Sequence, residues 1–254
     1  MTVVLVHGNP ETPAVWDLLV DSLTALGVEE PVRLAPPGFG APVPDGWGAT
    51  VEEYRDWLVR ELERLREAGH GPIDLVGHDW GGGHVLNAVM IRPDLVRTWC
   101  SDVVGVFDPD YVWHELAQIW QRPGDGERWI AGMLDTPTEQ RAAGYVARGM
   151  APAVAEKIAA GADQVMGDCI LRLYRSAAQP RMSEVGAGLE AAAARTGLAV
   201  LASEDHMVGT DEQRLRTAAR AGARVATLDG LGHWWMTEDP DRGARMLVDF
   251  WRSV

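Results

Sequence analysis

The sequence predicts an α/β protein: a mostly parallel sheet of about six strands, flanked by helices, with a helical segment inserted late in the chain. Three observations carry this expectation. Short apolar runs alternate with longer stretches of helical periodicity. Two of the runs, residues 3–6 and 73–76, are almost continuously apolar, as strands buried on both faces are. The alternation then breaks between about Phe107 and Thr196, where only amphipathic helical patterns can be read.

Taken in order, strands are expected at residues 3–6, 32–34, 73–76, 98–104, 198–201 and 224–228. Between the second and third, Thr50 and Glu53 form a capping-box pattern. Tyr54, Trp57, Leu58, Leu62 and Leu65 follow at helical spacing, until Gly69 and Gly71-Pro72 stop the helix. The helix after Asp79 buries Val85, Leu86, Val89 and Met90 and closes before Pro93. The last helix, about 240–251, turns Ala244, Met246, Leu247 and Phe250 toward the sheet. These readings give a core domain of residues 1–106 and 197–254 and a helical cap of residues 107–196, the latter punctuated at Pro123-Gly124, Pro137, Pro152 and Pro180. Open α/β sheets bind ligands at the carboxyl ends of their strands, so a cap there roofs the site.

Composition narrows the class of function. The 254 residues carry a formal net charge of −14, which argues against nucleic acid because phosphate neutralisation needs a basic surface. Two cysteines, Cys100 and Cys169, are too few for a disulfide framework or a thiolate metal site, and no metal or cofactor is expected. No apolar run has the length of a membrane span. The opening run is too short for a signal sequence and lacks a basic flank. The expectation is a cytoplasmic protein, monomer or homodimer, that handles a small molecule.

Three post-strand loops hold the chemistry: His7-Gly8-Asn9-Pro10, Gly77-His78-Asp79-Trp80-Gly81-Gly82, and Ser203-Glu204-Asp205-His206 taken together with Gly232-His233-Trp234. A Gly-x-Asp-x-Gly between a buried strand and a helix has the context of a nucleophile elbow, in which small neighbours let the central side chain stand above the sheet. A plain helix-capping Asp with turn glycines would look the same in isolation. A carboxylate needs no base to attack an sp³ carbon, and attack leaves an ester that water can open. His233 has the position to activate that water, and the order Asp79, Asp205, His233 matches nucleophile, acid and base in this kind of fold. His70, His84, His114 and His206 are read as ordinary surface or core histidines.

These loops resemble the epoxide hydrolase and haloalkane dehalogenase branch of the α/β-hydrolases, over nearly the whole chain. The chain starts at what would be that family's third strand, so its two leading strands are expected to be missing. The resemblance implies Asp79 as nucleophile, His233 as base and Asp205 as the acid, with Asp102 as the alternative acid used in one dehalogenase branch. Backbone N–H groups of Asn9 and Trp80 would form the oxyanion hole. Two leaving groups stay open. Tyr174, followed by Arg175, resembles the tyrosine that protonates an opening epoxide. Its usual partner is missing, because Leu116 and Ile119 fall where tyrosines are expected, leaving Tyr111 or Tyr145 as substitutes. The side chains of Asn9 and Trp80 resemble instead the pair that stabilises a departing halide. Epoxide hydrolase is the favoured reading, haloalkane dehalogenase the alternative, and a catalytically silent binding module the remote third, since Asp79 and His233 are both retained. Eleven tryptophans, several of them between Trp99 and Trp129, suggest an aromatic pocket for a small apolar organic substrate that reacts with water.

Overall fold

The computed structural model describes residues 1–254. Six strands, β1 (Thr2–Val6), β2 (Val32–Leu34), β3 (Ile73–Gly77), β4 (Thr98–Ser101), β5 (Thr196–Ala202) and β6 (Ala223–Leu228), form one parallel sheet in the order β2-β1-β3-β4-β5-β6. Alternate side chains serve two cores. Val4 and Val6 of β1 face one layer with α2 (Val51–Glu67) and α3 (Trp80–Ile91). Val3 and Leu5 face the other, with α1 (Asp17–Ala25) and, near the C-terminus, Ala244, Leu247 and Phe250. Burial on both sides is why the β1 and β3 runs lack a polar alternation.

The N-terminus of α2 carries the expected capping box: the Thr50 hydroxyl accepts from the Glu53 N–H, and the Glu53 carboxylate accepts from the Thr50 N–H. One strand is shorter than expected. The strand expected to Val104 leaves the sheet at Ser101, and Val104–Phe107 forms a buried 3-10 turn. The apolar residues Val103, Val104, Val106 and Phe107 report burial, and a buried turn satisfies them as well as a strand does. Met90 and Met246 are only half-buried, whereas Val248 joins the core.

Between β4 and β5 lie α4 (Glu115–Gln121), α5 (Asp125–Asp135), α6 (Thr138–Val146), α7 (Pro152–Ala160), α8 (Gln164–Ser176) and α9 (Arg181–Gly186), with no strand among them. The 3-10 turn Leu189–Ala194 packs on α3, and Ala192 accepts the Trp99 indole N–H. After β5 come α10 (Asp211–Arg220), β6, α11 (Trp235–Glu238) and α12 (Pro240–Arg252). No helix is long and apolar enough to cross a membrane. The chain leaves β1 toward β2 on one side and returns as β3 on the other. That reversal opens a crevice above the carboxyl ends of β1 and β3, where the sheet geometry favours ligand binding.

Candidate active site

Asp79 stands at that crevice. It is the residue between β3 and α3, with φ 50° and ψ −131°, a strained conformation for a residue with a side chain, costing about 1–3 kcal/mol. The turn is possible because its neighbours are small. A Cβ on Gly81 would lie 2.1 Å from the Val6 carbonyl, and one on Gly8 would lie 2.2 Å from Asp79 Oδ1. Strain held by such close packing aims the carboxylate into a cavity rather than along the helix. The Asn9 N–H donates to Asp79 Oδ1 at 2.8 Å, and the Trp80 N–H also favours the charged carboxylate. These are the two donors expected for an oxyanion hole.

The other oxygen, Oδ2, lies 3.6 Å from His233 Nε2. His233 Nδ1 meets Asp205 Oδ2 at 2.8 Å, and Asp205 Oδ1 accepts the Met207 N–H at 2.9 Å. Burial raises the Asp79 carboxyl to about 6, although the His233 charge acts against the shift. For His233, burial disfavours the cation, but the Asp205 ion pair outweighs it and holds the imidazole at about 9. Burial likewise opposes ionisation of Asp205, and the His233 charge overcomes it, to about 2. At neutral pH the three are therefore carboxylate, imidazolium and carboxylate.

Asp102 does not serve His233. Its Oδ1 accepts the Asp79 N–H at 3.0 Å, and its Oδ2 meets His78 Nδ1 at 2.6 Å and the Trp235 indole N–H at 2.8 Å. The alternative acid is thus a buried brace under the elbow. Glu11, which drew no attention in the sequence, completes that brace: its Oε1 meets His78 Nε2 at 3.0 Å and the Trp234 indole N–H at 2.7 Å. Glu11 and His78 are both 0% exposed. Burial opposes the charge on each, but their mutual attraction wins, holding Glu11 down to about 2 and His78 well above its usual value. Glu11, His78 and His233 bring possible metal-ligand atoms within 4.8 Å of one another, yet both His78 nitrogens already face carboxylates.

A cavity of about 430 Å³ opens over Asp79 and His233, within the range of small-molecule sites. Tyr174 lines it from α8. Its hydroxyl oxygen accepts from Asn9 Nδ2 at 3.3 Å, and its ring stands edge-on to Trp80, centroids 5.4 Å apart. Burial first, then the Asp79 charge, push the phenol well above its usual pKa, so it remains a donor. The two proposed partners divide. The Tyr111 hydroxyl is committed to the Met207 carbonyl at 2.8 Å, while Tyr145 lines the cavity beside Trp234.

His114 is the residue the sequence reading passed over. Its Nδ1 accepts the Ala117 N–H as the N-cap of α4, which leaves the ring proton on Nε2. The ring lines the cavity, 6.4 Å from that of Tyr174. Burial lowers it to about 4, so it is a neutral N–H donor at working pH. The signal was present as a histidine just before a helix start, but a capping role and a cavity position look alike in one dimension. Trp120 and Trp129 supply the expected aromatic lining. Arg128, Arg141 and Arg148 also line the cavity.

Solved structures with the same architecture include the haloalkane dehalogenase DbeA from Bradyrhizobium elkani USDA94, at TM-score 0.72 and 21% identity over 98% of this chain and 89% of that one. An ancestral haloalkane dehalogenase, AncHLD2, superposes at TM-score 0.68 and 22% identity, over 98% and 90% of the two chains. E-2-(acetamidomethylene)succinate hydrolase does so at 0.68 and 16%, with the same coverage. At these identities the likeness speaks for the fold alone. Among curated proteins, no relative matches the sequence. The alpha/beta hydrolase family matches residues 3–246, nearly the full length, and the chain is a member of that family.

Proposed function

We propose that the protein is an epoxide hydrolase working through an ester on Asp79. The observation that carries the choice of leaving group is the Tyr174 hydroxyl: its oxygen accepts from Asn9 Nδ2 inside the cavity that Asp79 lines, leaving its own proton to donate. One of the two Asn9 Nδ2 hydrogens is thereby engaged, and a departing alkoxide meets an O–H donor.

In the first step Asp79 Oδ2, the oxygen that faces His233, bonds to one epoxide carbon. The ring C–O bond breaks, and the oxygen takes the Tyr174 proton, with the His114 Nε2–H as second donor. Alkylation also removes the negative charge that helps to keep His233 protonated, so its pKa falls, it gives its proton to solvent, and the neutral imidazole can act as a base. His233 then takes a proton from water as the water oxygen bonds to the Asp79 carbonyl carbon. Negative charge develops on Oδ1, against the Asn9 and Trp80 N–H groups. The ester C–O bond breaks, the diol oxygen takes the His233 proton, the acid formed on Asp79 returns a proton to the phenolate, and solvent returns the imidazolium proton to His233 beside the restored Asp79 carboxylate. Water is added across the epoxide and every group is restored. The helical segment of residues 107–196 acts in this scheme as the roof that carries Tyr174 and His114.

A paired assay with styrene oxide and a bromoalkane tests the reading. Diol without halide release is the expected result; halide release with no diol would assign the same nucleophile to dehalogenation.

A further inference from the structure

The cavity wall holds positive charge that the chemistry above does not use. In a chain of net charge −14, nearby arginines are generally paired: Arg128 with Asp125, and Arg175 with Glu127 at 2.8 Å. Arg141 and Arg148, both lining the cavity, form no ion pair. Arg141 is fixed by carbonyls: its Nη1 donates to Met133, Leu134 and Thr136, and its Nη2 to Ala159 at 3.0 Å and to the Thr138 hydroxyl at 3.1 Å. Its Nε is buried without a partner. Arg148 is held only through Nε, which donates to the Gly144 carbonyl at 3.0 Å. Its guanidinium lies over the rings of Tyr145 and Trp234, 5.3 and 5.6 Å from their centroids, and both Nη groups are uncommitted.

Such a fork, stacked and aimed by two aromatic rings, suits a planar anion. A purely apolar substrate entering here would strip water from Arg148 and offer nothing in return. A phosphate dianion would call for more than one free fork and would meet the repulsion of an acidic protein. We propose that Arg148, backed by the fixed charge of Arg141, is a carboxylate-binding subsite, and that the substrate is a small electrophile with a carboxylic acid remote from the carbon that Asp79 attacks. The second half of this statement rests on the epoxide reading; the subsite itself does not.

Binding is therefore measured apart from turnover. 3-Phenylpropionate and 3-phenylpropionamide are titrated into the whole protein by calorimetry at pH 7.5, with wild type, Arg148→Gln and Arg148→Lys compared. The acid is expected to bind about tenfold tighter than the amide in wild type, with salt eroding the difference. The preference should vanish in Arg148→Gln and be partly kept in Arg148→Lys. Equal binding of acid and amide, no binding of either, or a preference that survives Arg148→Gln would each overturn the subsite. In parallel, a carboxylated aryl epoxide and its methyl ester are assayed, and the acid is expected to have the lower KM in wild type only. Tight acid binding without diol from either compound would sink the epoxide reading and leave the subsite standing.

Discussion

Two carboxylate–histidine groups lie side by side above the sheet, their imidazole rings 4.7 Å apart, and they differ in what surrounds them. His78 is clamped on both nitrogens, by Asp102 at 2.6 Å and Glu11 at 3.0 Å, with no exposure. His233 is clamped on one, by Asp205 at 2.8 Å, and its other nitrogen faces Asp79 across 3.6 Å at the edge of a cavity. The first group has its charge locked and its proton acceptors filled. The second has an unfilled nitrogen at a cavity and, in the proposed scheme, a charge balance that changes when Asp79 is esterified. Both have the composition of a catalytic triad. Access and an unfilled nitrogen separate chemistry from bracing.

The comparison is broken most severely at its two ends. Asp79→Asn should cost at least about 10⁴-fold in turnover, as loss of a nucleophile does, while the melting midpoint at pH 7 should not fall. The sign follows from the raised carboxyl: a group whose folded pKa lies above its unfolded one destabilises the fold once it is ionised, above about pH 6. His78→Leu should do the reverse. It leaves two buried carboxylates without their cation, and chemical denaturation should show a loss of about 3–5 kcal/mol. A full-stability His78→Leu variant would contradict the bracing role. Tyr174→Phe should slow epoxide opening about 10²-fold without slowing hydrolysis of a preformed ester, as stopped-flow measurements would show. The smallest effect is on pH. The rate of ester formation should be half-maximal near pH 6 and fall about tenfold per unit below it, because only ionised Asp79 attacks.

The elements were legible wherever local pattern and burial agreed. The capping box at Thr50 and the apolar run of β3 each sit where the periodicity puts them. The end of β4 was not, because Val103 and Val104 are buried whether extended or turned. The elbow was readable because glycine at Gly77 and Gly81 is dictated by backbone contact, a one-dimensional consequence of packing. The sequence favoured Asp205 over Asp102 but left both open, since both follow strands at the same end of the sheet. Only the direction of each side chain decides between them. Glu11 and Arg148 were invisible for a related reason: an acid after a Pro and an arginine near a helix end are common, and the His78 and Trp234 that Glu11 meets lie 67 or more residues away, while Arg148 lies over the buried ring of Trp234, 86 residues on.

The most direct test of Asp79 as the group that carries the substrate is a single turnover of styrene oxide in ¹⁸O-water with enzyme in excess, followed by mass spectrometry of the Asp79 peptide and the diol. Water that opens an ester leaves its oxygen on the carboxylate, so the label should appear in Asp79 and the first diol should be unlabelled. His233→Gln should instead retain the substrate's mass on that peptide. Label in the diol alone, with Asp79 unlabelled, would mean that water attacks the epoxide directly and that no ester forms.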